Sequence, residues 1–129
     1  MKSPVSNEPM VVLELEGIEV DYCVLTHGIW LDAGELEELY KDRAVAEKLI
    51  ASFKVQTESR EMKLRCPICN RKMEKVMVQD KVLIDRCIKG HGLWFDEGEL
   101  IQVLEMEPVE GESKAIGFLK AMFNYQIKK

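Results

Sequence analysis

The chain contains no apolar run that approaches the roughly 18–20 residues needed to span a membrane. Its N-terminal residues are polar and lack the basic-then-apolar order of a secretory signal. Cysteine and histidine are scarce, with 4 and 2 copies among 129 residues. We therefore expect a cytoplasmic protein that does not associate with membranes. In such a compartment the cysteines are expected to act as thiolate ligands, because disulfides are rare there.

Charge is distributed unevenly along the chain. The net charge is −5, but residues 1–59 carry −7, residues 60–91 carry +5 and residues 92–129 carry −3. The whole chain is thus not expected to bind nucleic acid non-specifically, whereas the middle segment alone could do so. The opposite charges also predict that these first two segments dock on each other, within one chain or between chains.

An internal repeat organises the sequence, and repeats define architecture. SPVSNEPM at residues 3–10 matches CPICNRKM at residues 66–73 at three identical positions. CVLTHGIWLDAGEL at residues 23–36 matches CIKGHGLWFDEGEL at residues 87–100 at eight of fourteen positions. We therefore divide the chain into a first unit at 1–58, a second unit at 59–106, and a linker with a C-terminal helix at 107–129.

Each unit is predicted to contain a β-hairpin followed by a helix. Apolar residues alternate on both sides of a tight turn at Glu16 and Gly17, and strand-forming residues flank Asp80 and Lys81. Acidic residues at capping-box spacing then begin the helices. The first helix is predicted to be long, from about 34 to 53, and the second to be short. A third, amphipathic helix is predicted from Ser113 onward. The fold class is therefore small α+β.

The second unit carries the spacing of a metal site. Cys66 and Cys69 form a tight cysteine turn, Cys87 follows once the hairpin returns, and His91 lies four residues further on. Three cysteines and one histidine fill the tetrahedron that zinc prefers and leave no position for a reactive water, so we expect one structural zinc per chain. The alternatives are a pair of buried free cysteines and two unrelated ones without metal, a thioredoxin-like redox pair at Cys66 and Cys69, and iron in place of zinc.

These residues resemble the transcription-factor-IIB-type zinc-ribbon proteins of bacteria. The resemblance covers roughly 1–40 and 64–104. It rests on CPxC, the hairpin, the turn from Cys87 to His91 and the tail G-[IL]-W-[LF]-D-x-G-E-L. It implies two tandem zinc ribbons and a relation to general transcription factors, whose ribbon contacts RNA polymerase. Family members usually carry a second CxxC, whose last cysteine would fall at Gly90. Because His91 follows here, we interpret His91 as the fourth ligand.

The first unit has lost two of its four ligand positions. The equivalents of the ligands are Ser3, Ser6, Cys23 and His27. Serine hydroxyls are poor zinc ligands at neutral pH, so this site is predicted to hold little or no metal, and residues 1–8 to be weakly anchored. Retention of the rest of the frame fits either a recent natural loss or a deliberate replacement of cysteine by serine.

We expect a non-enzymatic module that binds a protein partner or a second copy of itself, or acts in transcription. The sequence offers no recognisable nucleophile–base pair, and no small-molecule substrate is expected. The alternative is nucleic-acid binding by basic residues on and beside the second hairpin. They are Arg65, Arg71, Lys72, Lys75, Lys81, Arg86 and Lys89.

The aromatic and apolar patterns leave two further questions open. Trp30 and Trp94 are expected to be core residues over the knuckles, with exposed rings that stack on bases as the alternative. The apolar stripe on the first helix could pair with another helix or cover its own hairpin. For the C-terminal helix, docking on protein is favoured over lying on a membrane.

Overall fold

A computed structural model shows how the two units combine. It describes residues 1–15, 17–40, 43–57 and 62–106, together with residues 117 and 121. The predicted linker and C-terminal helix at 107–129 thus lie almost entirely outside the described residues. The predicted first turn lies partly outside them, because only Gly17 of that turn is described.

Both predicted hairpins are present. β1 (Val11–Leu15) pairs with β2 (Ile18–Tyr22), and β5 (Glu74–Val78) pairs with β6 (Val82–Arg86), each antiparallel. The second hairpin turns through Gln79 and Asp80, both with positive φ. A third strand completes each ribbon, namely β3 (Ile29–Asp32) in the first and β7 (Gly92–Phe95) in the second.

The ribbons join through their third strands into one seven-stranded sheet of order β1-β2-β3-β7-β6-β5-β4. β3 and β7 are antiparallel, and Trp30 lies directly opposite Trp94. This register relates the two ribbons by an approximate two-fold axis that passes through the tryptophan pair. The units do dock on each other within the chain, as their charges predicted, but backbone pairing makes the junction.

Glycines allow the tryptophans to cross this junction. A Cβ on Gly28 would collide with the indole of Trp94, and a Cβ on Gly92 would collide with Trp30 and the Leu31 carbonyl. Each tryptophan thus covers a glycine of the opposite ribbon. Both indoles are fully buried. This confirms their place in the core and excludes them as exposed platforms for bases.

The helices differ from the prediction in one respect. The single long helix is replaced by α1 (Glu35–Leu39) and α2 (Arg43–Ala51). The prediction was wrong because Tyr40 adopts extended backbone, and its hydroxyl donates to the Val103 carbonyl at 3.1 Å. This tertiary contact outweighs local helix propensity. The second helix, α3 (Glu99–Glu105), is short as expected.

The apolar stripe of α1 and α2 covers the sheet. Leu36, Leu39, Ala46 and Leu49 are buried in the main core with residues from both hairpins. A smaller core surrounds the knuckles and contains both tryptophans together with Met10 and Met73. Within the part of the chain that the structure describes, no helix is long and apolar enough to cross a membrane.

One strand was not anticipated. β4 (Lys54–Gln56) follows α2 and pairs antiparallel with β5, at the far end of the sheet. Residues assigned by sequence to the first unit therefore cover the edge of the second hairpin. The three residues of β4 are too few to show the alternating pattern of a strand in the sequence. They form a strand because the edge of β5 is available for pairing.

Candidate metal centre

Four ligands come from two tight turns, here called knuckles. The first knuckle precedes β5 and contains Cys66 and Cys69, and the second follows β6 and contains Cys87 and His91. The first knuckle closes when Asn70 N–H donates to the Cys66 carbonyl and Cys66 N–H donates to the Arg71 carbonyl, both at 2.8 Å. Asn70 has a left-handed backbone with φ 60°, and Asn7 has φ 62° in the first unit. Asparagine tolerates this conformation better than most residues, which accounts for its presence in both copies.

The predicted ligands meet at one point. The donor atoms of Cys66, Cys69, Cys87 and His91 all lie within 4.8 Å of one another. Cys69 Sγ lies 3.7 Å from Cys87 Sγ, and Cys87 Sγ lies 3.4 Å from His91 Nδ1. Tetrahedral zinc with Zn–S bonds of about 2.3 Å places sulfurs about 3.8 Å apart, so the spacing fits zinc. All four donors come from the chain, as in closed structural sites.

Backbone N–H groups support the thiolates. Ile68 N–H donates to Cys66 Sγ and Lys89 N–H donates to Cys87 Sγ, each at 3.4 Å. Burial opposes ionisation of Cys87, but N–H groups of His91 and Lys89 and the nearby thiols outweigh it and lower its pKa to about 6. Burial raises the pKa of Cys66 to about 11. A bound cation would stabilise both thiolates.

The first unit keeps the frame of the knuckle without the ligands. Ser3 is buried, and its hydroxyl accepts from the N–H groups of Val5 and Ser6 at 3.2 and 3.3 Å. Ser6 Oγ lies 3.6 Å from Cys23 Sγ. Two of these contacts lie within residues 1–8 and one reaches Cys23, and the weak anchoring of this segment stays a prediction. Among the described residues, only the second unit forms a Cys/His cluster of metal-binding size.

Hydrogen bonds also act on the remaining cysteine of the first unit. Burial disfavours the Cys23 thiolate, but the hydroxyls of Ser3 and Ser6 and the N–H of Thr26 outweigh it and lower the pKa of Cys23 to about 7. The hydroxyls thus reproduce part of the environment of the second site. They supply no sulfur for a metal, so Cys23 remains the one thiol of this knuckle.

His27 has a different partner from its counterpart His91. Its Nδ1 lies 2.7 Å from the Tyr22 hydroxyl, whereas His91 Nδ1 faces thiols. The positive φ of the turn lies at His27 in the first unit and at Gly90 in the second. Because β-branched Thr26 replaces Gly90, the left-handed residue shifts by one position. Sequence comparison of the copies contained this signal, but the role of Tyr22 was missed.

The acidic residues at the end of each third strand and the start of the following helix have a shared role. The indole Nε1 of Trp30 donates to Asp32 at 2.8 Å, and that of Trp94 donates to Asp96 at 2.9 Å. Glu35 and Glu99 accept from the N–H groups of Asp32 and Asp96. Half of the predicted capping box is therefore present. The aspartates bind indoles instead of capping the helices, whose N-caps are Gly34 and Gly98.

The predicted basic residues do not form one uniform set. Lys75 is buried, and its Nζ lies 2.7 Å from Asp85, so its inclusion as a phosphate contact was wrong. Arg86 is half-buried, and its Nε lies 3.3 Å from Glu74. Arg65 donates to the Asn70 carbonyl at 3.0 Å, which supports the knuckle. The remaining members are exposed, namely Arg71, Lys72, Lys81 and Lys89.

Comparison with known families supports this geometry. The family described as "Transcription factor zinc-finger", of the TFIIB zinc-ribbon type, matches residues 4–42 and 65–106. No curated protein and no solved structure matches the chain at a significant level. The two matched regions coincide with the two ribbons and together cover more than half of the chain. The chain therefore belongs to the TFIIB-type zinc-ribbon family, with two tandem ribbons of which only the second retains the Cys3His cluster.

Proposed function

We propose that the protein is a non-catalytic module in which one structural zinc stabilises a two-ribbon surface that binds another protein. The convergence of Cys66, Cys69, Cys87 and His91 supports the structural zinc, which is the central part of this proposal. Four protein donors complete the zinc tetrahedron, so no position remains for a metal-activated water. Of the two histidines, His91 belongs to this cluster and His27 is bound to Tyr22.

Family membership supports a transcription-related partner. The matched description names transcription factors, and it covers both ribbons. We further propose a cytoplasmic location, because cysteines stay reduced and free to bind metal in that compartment.

Native mass spectrometry of protein purified without added metal tests the central part of this proposal. We expect one zinc per chain. A chain without zinc would overturn it, as would a hydrolase or thiol–disulfide activity that disappears when Cys66 and Cys69 are replaced. The matched control is Cys23→Ser, which removes a thiol from the first ribbon and should leave the zinc count unchanged.

A second candidate function is nucleic-acid binding by the second ribbon. The exposed cations Arg71, Lys72, Lys81 and Lys89 favour it, since phosphate contacts depend on accessible basic groups. Fluorescence anisotropy with a labelled oligonucleotide should then show binding that weakens as salt rises. Arg71→Glu with Lys72→Glu should abolish that binding, whereas Arg43→Glu on α2 should not. Salt-independent binding, or no binding at low salt, would contradict this function.

A further inference from the structure

The two ends of the sheet differ in how their edges are covered. At one end, β4 pairs with the outer edge of β5. At the other end, β1 is the terminal strand, and among the described strands only β2 pairs with it. An uncovered edge presents backbone N–H and C=O groups to any strand that can pair with it.

The approximate two-fold relation shows that these edges are counterparts. Asp21 pairs with Val12 in the first hairpin, and Asp85 pairs with Lys75 in the second. On this alignment Val12, Leu13 and Glu14 occupy the places of Lys75, Val76 and Met77. The molecule therefore already contains an example of a strand added to the equivalent edge.

β4 specifies what an added strand looks like. It runs antiparallel to β5, with Lys54 opposite Met77, Val55 opposite Val76 and Gln56 opposite Lys75. Three residues are enough to form this pairing. A strand added to β1 in the same way would place its side chains opposite Glu14, Leu13 and Val12.

The surface around β1 is apolar and accessible. Val11 and Val12 are 43% and 60% exposed, although both are β-branched strand residues. Their counterparts Glu74 and Lys75 form ion pairs with Arg86 and Asp85. The first hairpin thus lacks both of the cross-strand ion pairs that close the second one.

The face of the first hairpin that carries Val12, Glu14, Glu19 and Asp21 is negatively charged. Glu14 lies opposite Glu19, and both side chains are exposed, so two like charges face each other across the hairpin. Asp21 lies beside them without the lysine that its counterpart has. Burial, together with the charges of Asp32 and Glu19, raises the pKa of Asp21. A cation brought to this face would relieve the repulsion.

We propose that the outer edge of β1 binds an extended basic segment of a partner protein by antiparallel strand addition. A lysine or arginine of that segment lies opposite Glu14, and an apolar residue lies opposite Leu13. Main-chain hydrogen bonds supply affinity, and alternate side chains supply specificity. This inference rests on the proposed protein-binding function and names the binding edge and the chemistry of the partner.

The test uses the full zinc-loaded chain and two synthetic peptides. The probe is acetyl-Thr-Lys-Val-Lys-Val-Thr-amide, and its control has glutamate at both lysine positions. Binding is measured by amide chemical shifts, and hydrogen exchange is followed at Val12 and Glu14. We expect the lysine peptide to bind about tenfold more tightly than the glutamate peptide and to slow exchange at those two amides.

Matched variants sharpen the test. Glu14→Lys should reverse the preference between the peptides, whereas Glu38→Lys on the exposed face of α1 makes the same charge change elsewhere and should not. The zinc count is measured on the same samples. If the chain holds one zinc but neither peptide changes the shifts or the exchange of the β1 amides, the edge site alone is overturned. If the chain holds no zinc, the proposed function is overturned.

Three other results would also contradict the proposal. Equal affinity for the two peptides would remove the charge argument. Protection of the Val12 and Glu14 amides without peptide, at all protein concentrations, would mean that the chain covers its own edge. Protection that rises with protein concentration would identify a second copy as the occupant.

Discussion

The two ribbons have the same backbone plan but different means of holding it together. The second ribbon has four converging metal ligands and the buried Lys75–Asp85 ion pair. The first has serine hydroxyls in its knuckle and Val12 beside Asp21. We therefore expect the first ribbon to keep its fold without metal, because hydroxyls satisfy knuckle N–H groups and the neighbouring ribbon extends its sheet.

The largest effect is expected when the second ribbon is made to resemble the first. Cys66→Ser with Cys69→Ser should reduce the zinc count from one to zero and destabilise the second hairpin by about 10 kcal/mol or more, because structural zinc supplies folding free energy of that order. Thermal unfolding with and without a chelator measures this. A melting temperature unaffected by chelation would contradict a structural role for the metal.

The reverse change should give the first ribbon a metal site. Ser3→Cys with Ser6→Cys adds two thiolates beside Cys23, and native mass spectrometry should then count two zinc ions per chain. Adding Thr26→Gly should raise the affinity of the first ribbon for zinc. Glycine allows the positive φ at position 26, as at Gly90, and this change should release His27 from Tyr22. A count that stays at one in the triple variant would show that the frame cannot close around zinc.

The third comparison concerns the buried ion pair. Lys75→Val introduces the residue type found at Val12 and removes the ion pair that Lys75 forms with buried Asp85, which should cost about 3–5 kcal/mol. Denaturant unfolding of the zinc-loaded protein measures the change. Lys72→Val, at an exposed position, is the control. Further replacement Asp85→Asn should recover part of the loss, and no recovery would mean that packing of the lysine stem dominates.

The fourth comparison tests the junction that makes the ribbons one sheet. Gly92→Ala places a Cβ against the Leu31 carbonyl and the Trp30 indole, and should destabilise the fold by about 1–3 kcal/mol. Tryptophan fluorescence should shift as the indoles lose their packing. Gly117→Ala, where a Cβ meets no atom within 4 Å, is the control. Equal stability of the two variants would contradict the tryptophan–glycine crossing.

The smallest effect concerns the acidic face of the first ribbon. Burial and the charges of Asp32 and Asp21 raise the pKa of Glu35 to about 7, against the hydrogen bond from the Asp32 N–H. Between pH 4.5, the ordinary pKa of glutamate, and about pH 7, Glu35 is protonated more often in the folded state than in the unfolded state. The free energy of unfolding therefore falls as pH rises through that range. Glu35→Gln removes this loss.

Melting temperatures measured from pH 5 to 8 check that expectation. The variant should melt higher than the parent at pH 8, and the difference should shrink as pH falls. Glu38→Gln, on the exposed face of the same helix, controls for the loss of one carboxylate. A difference that is constant with pH would show that Glu35 does not titrate in this range.

The site was largely predictable from local spacing. Cys66 and Cys69 lie in one turn, and Cys87 and His91 lie in another, so a hairpin suffices to bring them together. The orientation of His27 was not predictable in this way, because it depends on where the knuckle places its positive φ and on a hydroxyl from the preceding strand. Lys75 was misassigned for a similar reason, since its burial and its ion pair with Asp85 depend on the assembled sheet and not on the charge of the residue alone.

By itself, the sequence determined the repeat, the two hairpins and the ligand set, because each depends on short-range periodicity and spacing. Only the tertiary structure decided that the ribbons pair through β3 and β7, that Tyr40 ends the first helix, and that β4 covers β5 while β1 is the terminal strand among those described. These features depend on contacts between residues far apart in the chain. Such contacts follow from the packing of two whole ribbons, which no local pattern contains.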